Sequence, residues 1–349
     1  MPSTRATVIH PHRAIEGGRV DIEGAAFHVD ETLLPEVHVG GLRARVVFAS
    51  AARLGVIVPS GLDGGRAAVR IAPFDGAQTA FVEIAAPFAT GLHQVDNPVF
   101  DRDGNLYVTY SGTRGQQVPV SIFRVRPNGT RETFSSGIVN PTSMAIDPAG
   151  RLYVSSRFEG TVYRVLPDGT TEAFAHDLGV ACGLAFAPDG TLFVGDRSGT
   201  IFRVDSRGQA TTFATLPASV AAFHLAIGPD RALYVTGPTL SSYDPLYRIE
   251  HDGRVTTAYA GFGRPQGLAF DPNGSLFVVE ALAGSSGLYR VPPGGPGEAG
   301  GSGGAGGAAE KPQLVLAGPA LVGVAFDRAG TLVVSSNETA YRLPIGHRS

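Results

Sequence analysis

The sequence predicts an all-β chain, a small β-sandwich followed by a six-bladed β-propeller that an N-terminal strand closes. Three observations lead there. Glycine (47) and proline (25) punctuate short β-branched runs throughout the 349 residues, a pattern of many turns and little helix. Six segments repeat one strand–turn–strand pattern: FDRDGNLYVTY from Phe100, IDPAGRLYVSS from Ile146, FAPDGTLFVGD from Phe186, IGPDRALYVTG from Ile227, FDPNGSLFVVE from Phe270 and FDRAGTLVVSS from Phe326. A third strand after each hairpin carries an aromatic followed by arginine: Phe123-Arg124, Tyr163-Arg164, Phe202-Arg203, Tyr247-Arg248, Tyr289-Arg290 and Tyr341-Arg342.

The front segment, residues 1–74, lies outside this repeat. Its short runs VDIEG, VHVGG, RVVFA, VIVP and AAVRI are separated by glycine-rich turns, as expected of a small sandwich. Residues 75–349 form the repeating part. The turn glycines Gly104, Gly150, Gly190, Gly274 and Gly330 suit positive φ, and Arg231 at the fourth turn requires an adjusted turn. Neighbours on a strand face opposite sides of the sheet, so each aromatic fills space while its arginine reaches water or an acceptor, a structural role.

Fourth strands follow PNGTRETF, PDGTTEAF, SRGQATTF and HDGRVTTAY, making units of about 40–45 residues that bury their faces only in a ring. The last unit stops at TAYRLPIGHRS, and DGAQTAFVEIA, residues 75–85, is the strand expected to complete it. The glycine-rich tract at 293–309 reads as a disordered surface loop inserted into the fifth unit.

Composition narrows the function. A net charge of −3 with scattered arginines gives no nucleic-acid groove, and no apolar run is long enough to span a membrane. The single Cys182 excludes an internal disulfide, and the opening residues lack an apolar leader core; a cytoplasmic protein is the expectation.

The front pattern HP…GG-x-V-x-I-x-G-x-x-F, V-x-V-GG and VP-x-GL-x-GG…VRI resembles the immunoglobulin-like IPT/TIG domains. The repeats resemble the NHL and SMP-30/gluconolactonase-like six-bladed propellers, a scaffold that serves enzymes and binding proteins alike. That second resemblance implies a divalent cation, calcium or another, held at the channel mouth by side chains at the starts of the first strands. Asp96 fills the carboxylate position; Thr142, Cys182, Phe223, Gln266 and Val322 stand at its equivalents, a donor set poor in oxygen for a hard cation.

The mouth also gathers Asn97, Asn140, Ser143, Arg157, Asp196, Arg197, Gln266 and Glu280, groups able to surround a polar ligand. His224 suits proton transfer near neutral pH if Asp96 lies beside it. Two functions stay open. One is a module binding a protein, carbohydrate or small molecule at the mouth or blade loops. The other is a metal-dependent hydrolase of a lactone or ester, with Asp96 helping to hold the cation and His224 moving a proton.

Overall fold

The computed structural model describes residues 5–25, 27–29, 34–72, 80–281, 286–293 and 310–343. The glycine-rich tract, apart from Pro293, lies outside them. The fold is all-β, with five four-stranded sheets in a propeller-like arrangement and a separate sheet of twelve strands.

Nine strands open the chain: β1 (Arg5–His10), β2 (Arg13–Ala14), β3 (Arg19–Ala25), β4 (Val37–Val39), β5 (Leu42–Ala49), β6 (Arg53–Ile57), β7 (Gly65–Ile71), β8 (Ala80–Ile84) and β9 (Ala86–Thr90). Period-two burial is plain in β3, where Val20 and Ile22 point inward and Arg19 and Asp21 outward. The order β1-β3-β6-β5-β4-β7-β8 wraps one core containing Ile9, Val20, Ile22, Val37, Leu54, Val56, Val69 and Val82.

Four units follow as separate antiparallel sheets. The first comprises Val99–Phe100, Leu106–Thr109, Ile122–Val125 and Arg131–Ser135; the second, Pro141–Ile146, Leu152–Ser156, Thr161–Val165 and Thr171–Ala175. The third comprises Ala181–Phe186, Leu192–Asp196, Thr200–Val204 and Ala210–Thr215; the fourth, His224–Ile227, Leu233–Thr236, Asp244–Ile249 and Val255–Phe262. Pro265–Phe270, Leu276–Glu280, Gly287–Val291 and Gln313–Ala317 repeat this order at one end of the twelve-stranded sheet. The last sheet joins Leu321–Phe326, Leu332–Ser336 and Thr339–Leu343 to β9.

That final pairing corrects the expected closing strand. Thr90 lies opposite Thr339 and Pro87 opposite Tyr341, whereas β8 pairs with β7 and β2. The segment 75–85 therefore does not close the last sheet where it is described; the strand immediately after it does. The T-x-F likeness misled because β8 and β9 are consecutive short strands, and pairing register is decided by partners distant in sequence.

Each unit buries its faces against the next. Ala145, Tyr153 and Val162 of the second pack with Leu184, Leu192 and Val194 of the third, and Leu246 and Phe262 of the fourth with Leu268 and Val278 of the next. Ala89 of β9 joins Val333 and Ala340 to Leu106 and Val108 of the first unit. The third-strand arginines are structural: Arg124 pairs with Glu132 and Arg164 with Glu172 directly across the sheet, and Arg342 lies over the Phe88 ring at 4.1 Å.

The front strands also fasten to the repeats. β2 runs parallel between β8 and the strand ending at Ala317, with Ala14 opposite Ala317. Ile15 packs among Leu316, Leu321 and Leu343, its backbone N–H donating to Ala317 at 2.9 Å.

Two predictions follow from these contacts. Ala89→Asp would bury a carboxylate in the closing seam and cost about 3 kcal/mol or more; a denaturant midpoint implying less than about 1 kcal/mol would show that the seam is not needed. At the fourth hairpin turn the structure makes no adjustment, because Arg231 itself adopts the left-handed φ of 65°. Arg231→Gly should relieve that strain and raise stability by up to about 1 kcal/mol, and a lower thermal midpoint would contradict it.

Candidate functional site

The first strands neighbour one another in the order of their units, and the last returns to the first. Where they begin, side chains from opposite units meet. Gly267 and Gly323 allow this crowding: a Cβ on Gly267 would sit 2.2 Å from Asn97 Oδ1, and one on Gly323 would sit 2.7 Å from the Asp96 carbonyl.

Asp96, just before the first unit's inner strand, and His224, opening the fourth unit's, are 128 residues apart and in contact, Nδ1 to Oδ1, at 2.5 Å. Both are buried, His224 completely. A carboxylate only accepts, so Nδ1 carries the proton and donates; in a ring protonated there alone, Nε2 presents a lone pair. Asp96 Oδ1 also accepts the Asn97 N–H at 2.7 Å, and Gln94 Nε2 donates to the Asp96 carbonyl at 2.8 Å. Nε2 of His224 is buried with no hydrogen-bond partner among the described residues. An orphaned buried group of this kind costs about 1–3 kcal/mol, so it is a place where a ligand atom or water would be held, as is the nearby Gln94 Oε1.

Most other expected ligand groups are engaged internally. Asn97 donates to Leu268 O and accepts from Val324 N, both at 2.9 Å, stitching three inner strands together. Asn140, at a positive φ of 48°, holds the 111–115 loop through Ser111 O, Thr113 O and Gly115 N. The Ser143 hydroxyl accepts from Leu184 N at 3.0 Å. Asp196 and Glu280 close second strands and clamp the loops entering their own units, Asp196 through Val180 N and Glu280 through Gly263 N and Arg264 N. Gln266 is buried, its carbonyl accepting from Thr236 Oγ1 at 2.5 Å.

The donors do not fit a gluconolactonase-type cation. Asp96 Oδ1 already accepts twice, the Thr142 hydroxyl donates to Asn140 O, and Phe223 packs in the core between the third and fourth units. Among the described residues no three His, Cys, Asp or Glu side chains gather where they could hold a metal.

Arg157 and Arg197 follow the second strands of adjacent units, and their backbone N–H groups donate to Asn140 O and Val180 O in turn. Arg157 is half-buried and Arg197 exposed. Burial lowers the Arg157 pKa from its ordinary value; Cys182 opposes this, and the like charges of Arg197 and Arg114 add smaller lowering effects. His93, which stacks edge-on to Tyr110 at 5.9 Å, is lowered by burial and by Arg157. Sequence reasoning passed over His93, Gln94 and Arg114; the only signal was a polar run, HQVDN, immediately before an inner strand. A cavity of about 590 Å³ lies at the other end of the strands, among turn residues including Asp147, Pro188, Pro229 and Asp271, away from the His224–Asp96 pair.

No family model matches the chain, and no curated protein does. Solved structures match in fold. An auxiliary nutrient-binding protein from Bacteroides ovatus aligns over 99% of this chain and 98% of its own at 14% identity, with a TM-score of 0.53. Virginiamycin B lyase from Staphylococcus aureus, a catalytically inactive His-to-Ala form with quinupristin, aligns over 89% and 100% at 13% identity and a TM-score of 0.51. A protein provisionally named a gluconolactonase aligns over 74% and 90% at 16% identity and a TM-score of 0.55. The chain therefore has a β-propeller-like fold of the kind found in gluconolactonase-type and nutrient-binding proteins.

These comparisons correct the cytoplasmic expectation, since auxiliary nutrient-binding proteins match nearly the whole chain. The lone cysteine was a poor guide to compartment because Cys182 is a small core residue, 2% exposed. Burial first, and then Asp96, pushes its thiol up to about 12. Native protein at pH 8 should resist iodoacetamide and react only after unfolding in urea; alkylation of the folded protein within minutes would show the mouth open at Cys182.

Proposed function

We propose that the chain is a hydrolase of the gluconolactonase type that opens a lactone or ester at the channel mouth through His224, oriented by Asp96. The observation that carries this reading is the buried His224–Asp96 contact with Nε2 left free. A water at Nε2 gives its proton to the ring as its oxygen attacks the carbonyl carbon. The Nδ1–H bond to Asp96 holds the tautomer and steadies the imidazolium. The proton then passes to the departing alkoxide, and the product is a hydroxy acid or an acid plus an alcohol. No step runs through a cation.

The finer architecture belongs to the same proposal. The scaffold is a six-bladed propeller whose fifth blade is the end of the twelve-stranded sheet, a count supported by the circular order of the first strands. The front strands form an IPT/TIG-like sandwich supported by their single wrapped core, and the boundary falls between β8 and β9. Asn97, Asn140, Ser143, Asp196, Gln266 and Glu280 shape the mouth, while Arg157 and Arg197 face the ligand.

Turnover of glucono-δ-lactone, γ-butyrolactone and 4-nitrophenyl acetate tests the chemistry. His224→Gln should lower kcat roughly 10²–10⁴-fold, and Asp96→Asn should lower it by a smaller factor, with unfolding midpoints compared to wild type. Absence of turnover on all three, or undiminished turnover in His224→Gln, would overturn the proposal. A second reading, ligand capture without chemistry, is favoured by the full-length match to nutrient-binding proteins; saturable sugar binding without turnover would select it.

A further inference from the structure

We infer that Arg157, flanked by Arg197 and Arg114, anchors a carboxylate group of the molecule that enters the channel mouth. The inference rests on the mouth being the ligand site, though not on hydrolysis taking place there. Arg157 is half-buried yet its side chain makes no hydrogen bond or ion pair among the described residues, and neither does that of Arg114 or Arg197. Elsewhere the partly buried arginines find acceptors: Arg124 takes Glu132, and Arg248 takes Asp230 and Glu250.

Two carboxylates near the mouth are already engaged. Asp96 holds His224 and the Asn97 N–H, and Asp196 accepts from Val180 N, Ser198 N and the Ser198 hydroxyl. Cys182 feels the charges of Asp96, Arg157, Arg197 and Asp196 together, so the arginines and the buried pair share one neighbourhood. The loops are held in place. Asn140 pins the 111–115 segment bearing Arg114, and the Gly115 Cα region rests against the Phe158 ring beside Arg157.

Three like charges at one rim, one of them partly desolvated, repel one another and raise the free energy of the empty mouth. An anion with two coplanar oxygens relieves both costs, because the guanidinium fork binds a carboxylate bidentately. Such a group is present on any hydroxy acid, either as part of the incoming molecule or as the new end formed when a lactone ring opens.

Titration calorimetry of the full chain at low salt tests this with gluconate, its uncharged counterpart glucitol, and inorganic phosphate. Gluconate should bind to wild type and bind roughly tenfold or more weakly to Arg157→Gln, with glucitol weak to both and phosphate weaker than gluconate. Arg197→Gln, at an exposed position, should weaken gluconate several-fold and serves if Arg157→Gln does not fold. Tighter phosphate than gluconate, equal gluconate affinity in the folded variants, or no gluconate binding at millimolar concentration would each overturn the inference. None of these binding results decides whether neutral lactones are hydrolysed, which the substrate panel tests separately. To separate the two origins of the carboxylate, gluconate inhibition of lactone turnover lost in Arg157→Gln marks the product end, whereas a KM rise confined to acid-bearing esters marks the incoming molecule.

Discussion

The pairing of β9 with Thr339–Leu343 is the interaction on which the rest depends. A four-stranded sheet has two apolar faces and two free edges, and neither is tolerable alone in water. The units solve the first problem by stacking, each hydrophobic cluster shared between one sheet and the next. The seam between the last unit and the first has the same need, and it is met only when a strand from the beginning of the chain completes the final sheet. Stability of the ring is therefore non-local, resting on contacts between residues near opposite ends of the chain.

Closure also makes the site. Where the inner strands converge, Gly267 and Gly323 permit a close approach, and side chains far apart in sequence come within hydrogen-bond reach. The polar groups placed there are buried, and a buried polar group costs free energy unless it is paired. Serine and threonine at matching positions on second strands supply some of these bonds, Ser155 to Cys182 O and Thr236 to Gln266 O. Asn97, Asn140, Asp196 and Glu280 supply others. Among the described residues His224 Nε2 is left without a partner, as are Gln94 Oε1 and several buried hydroxyls.

The front strands are bound into the same framework. Because β2 continues the hydrogen bonding of the strand ending at Ala317, while Ile15 enters the core beside it, the sandwich-like part is fixed to the unit adjoining the closing seam. Gly18 permits the approach, since a Cβ there would lie 2.4 Å from the Ala317 carbonyl.

The repeats were legible in the sequence because they arise from local rules: two-residue alternation, a turn glycine in five of the six hairpins, and an aromatic-arginine pair recurring at one place in each unit. Even the six starts of the inner strands could be read by alignment, which put Asp96 and His224 among the candidates. Tertiary structure decided what no local pattern encodes. It chose β9 over residues 75–85 as the closing strand, since which of two adjacent strands joins the last sheet is set by partners distant in sequence. It showed Asp196 and Glu280 clamping the loops that enter their own units, and it put His224 against Asp96 across the axis. Hydrogen bonds in a converging ring join residues more than a hundred positions apart, so the sequence names the groups but not which of them are already paired.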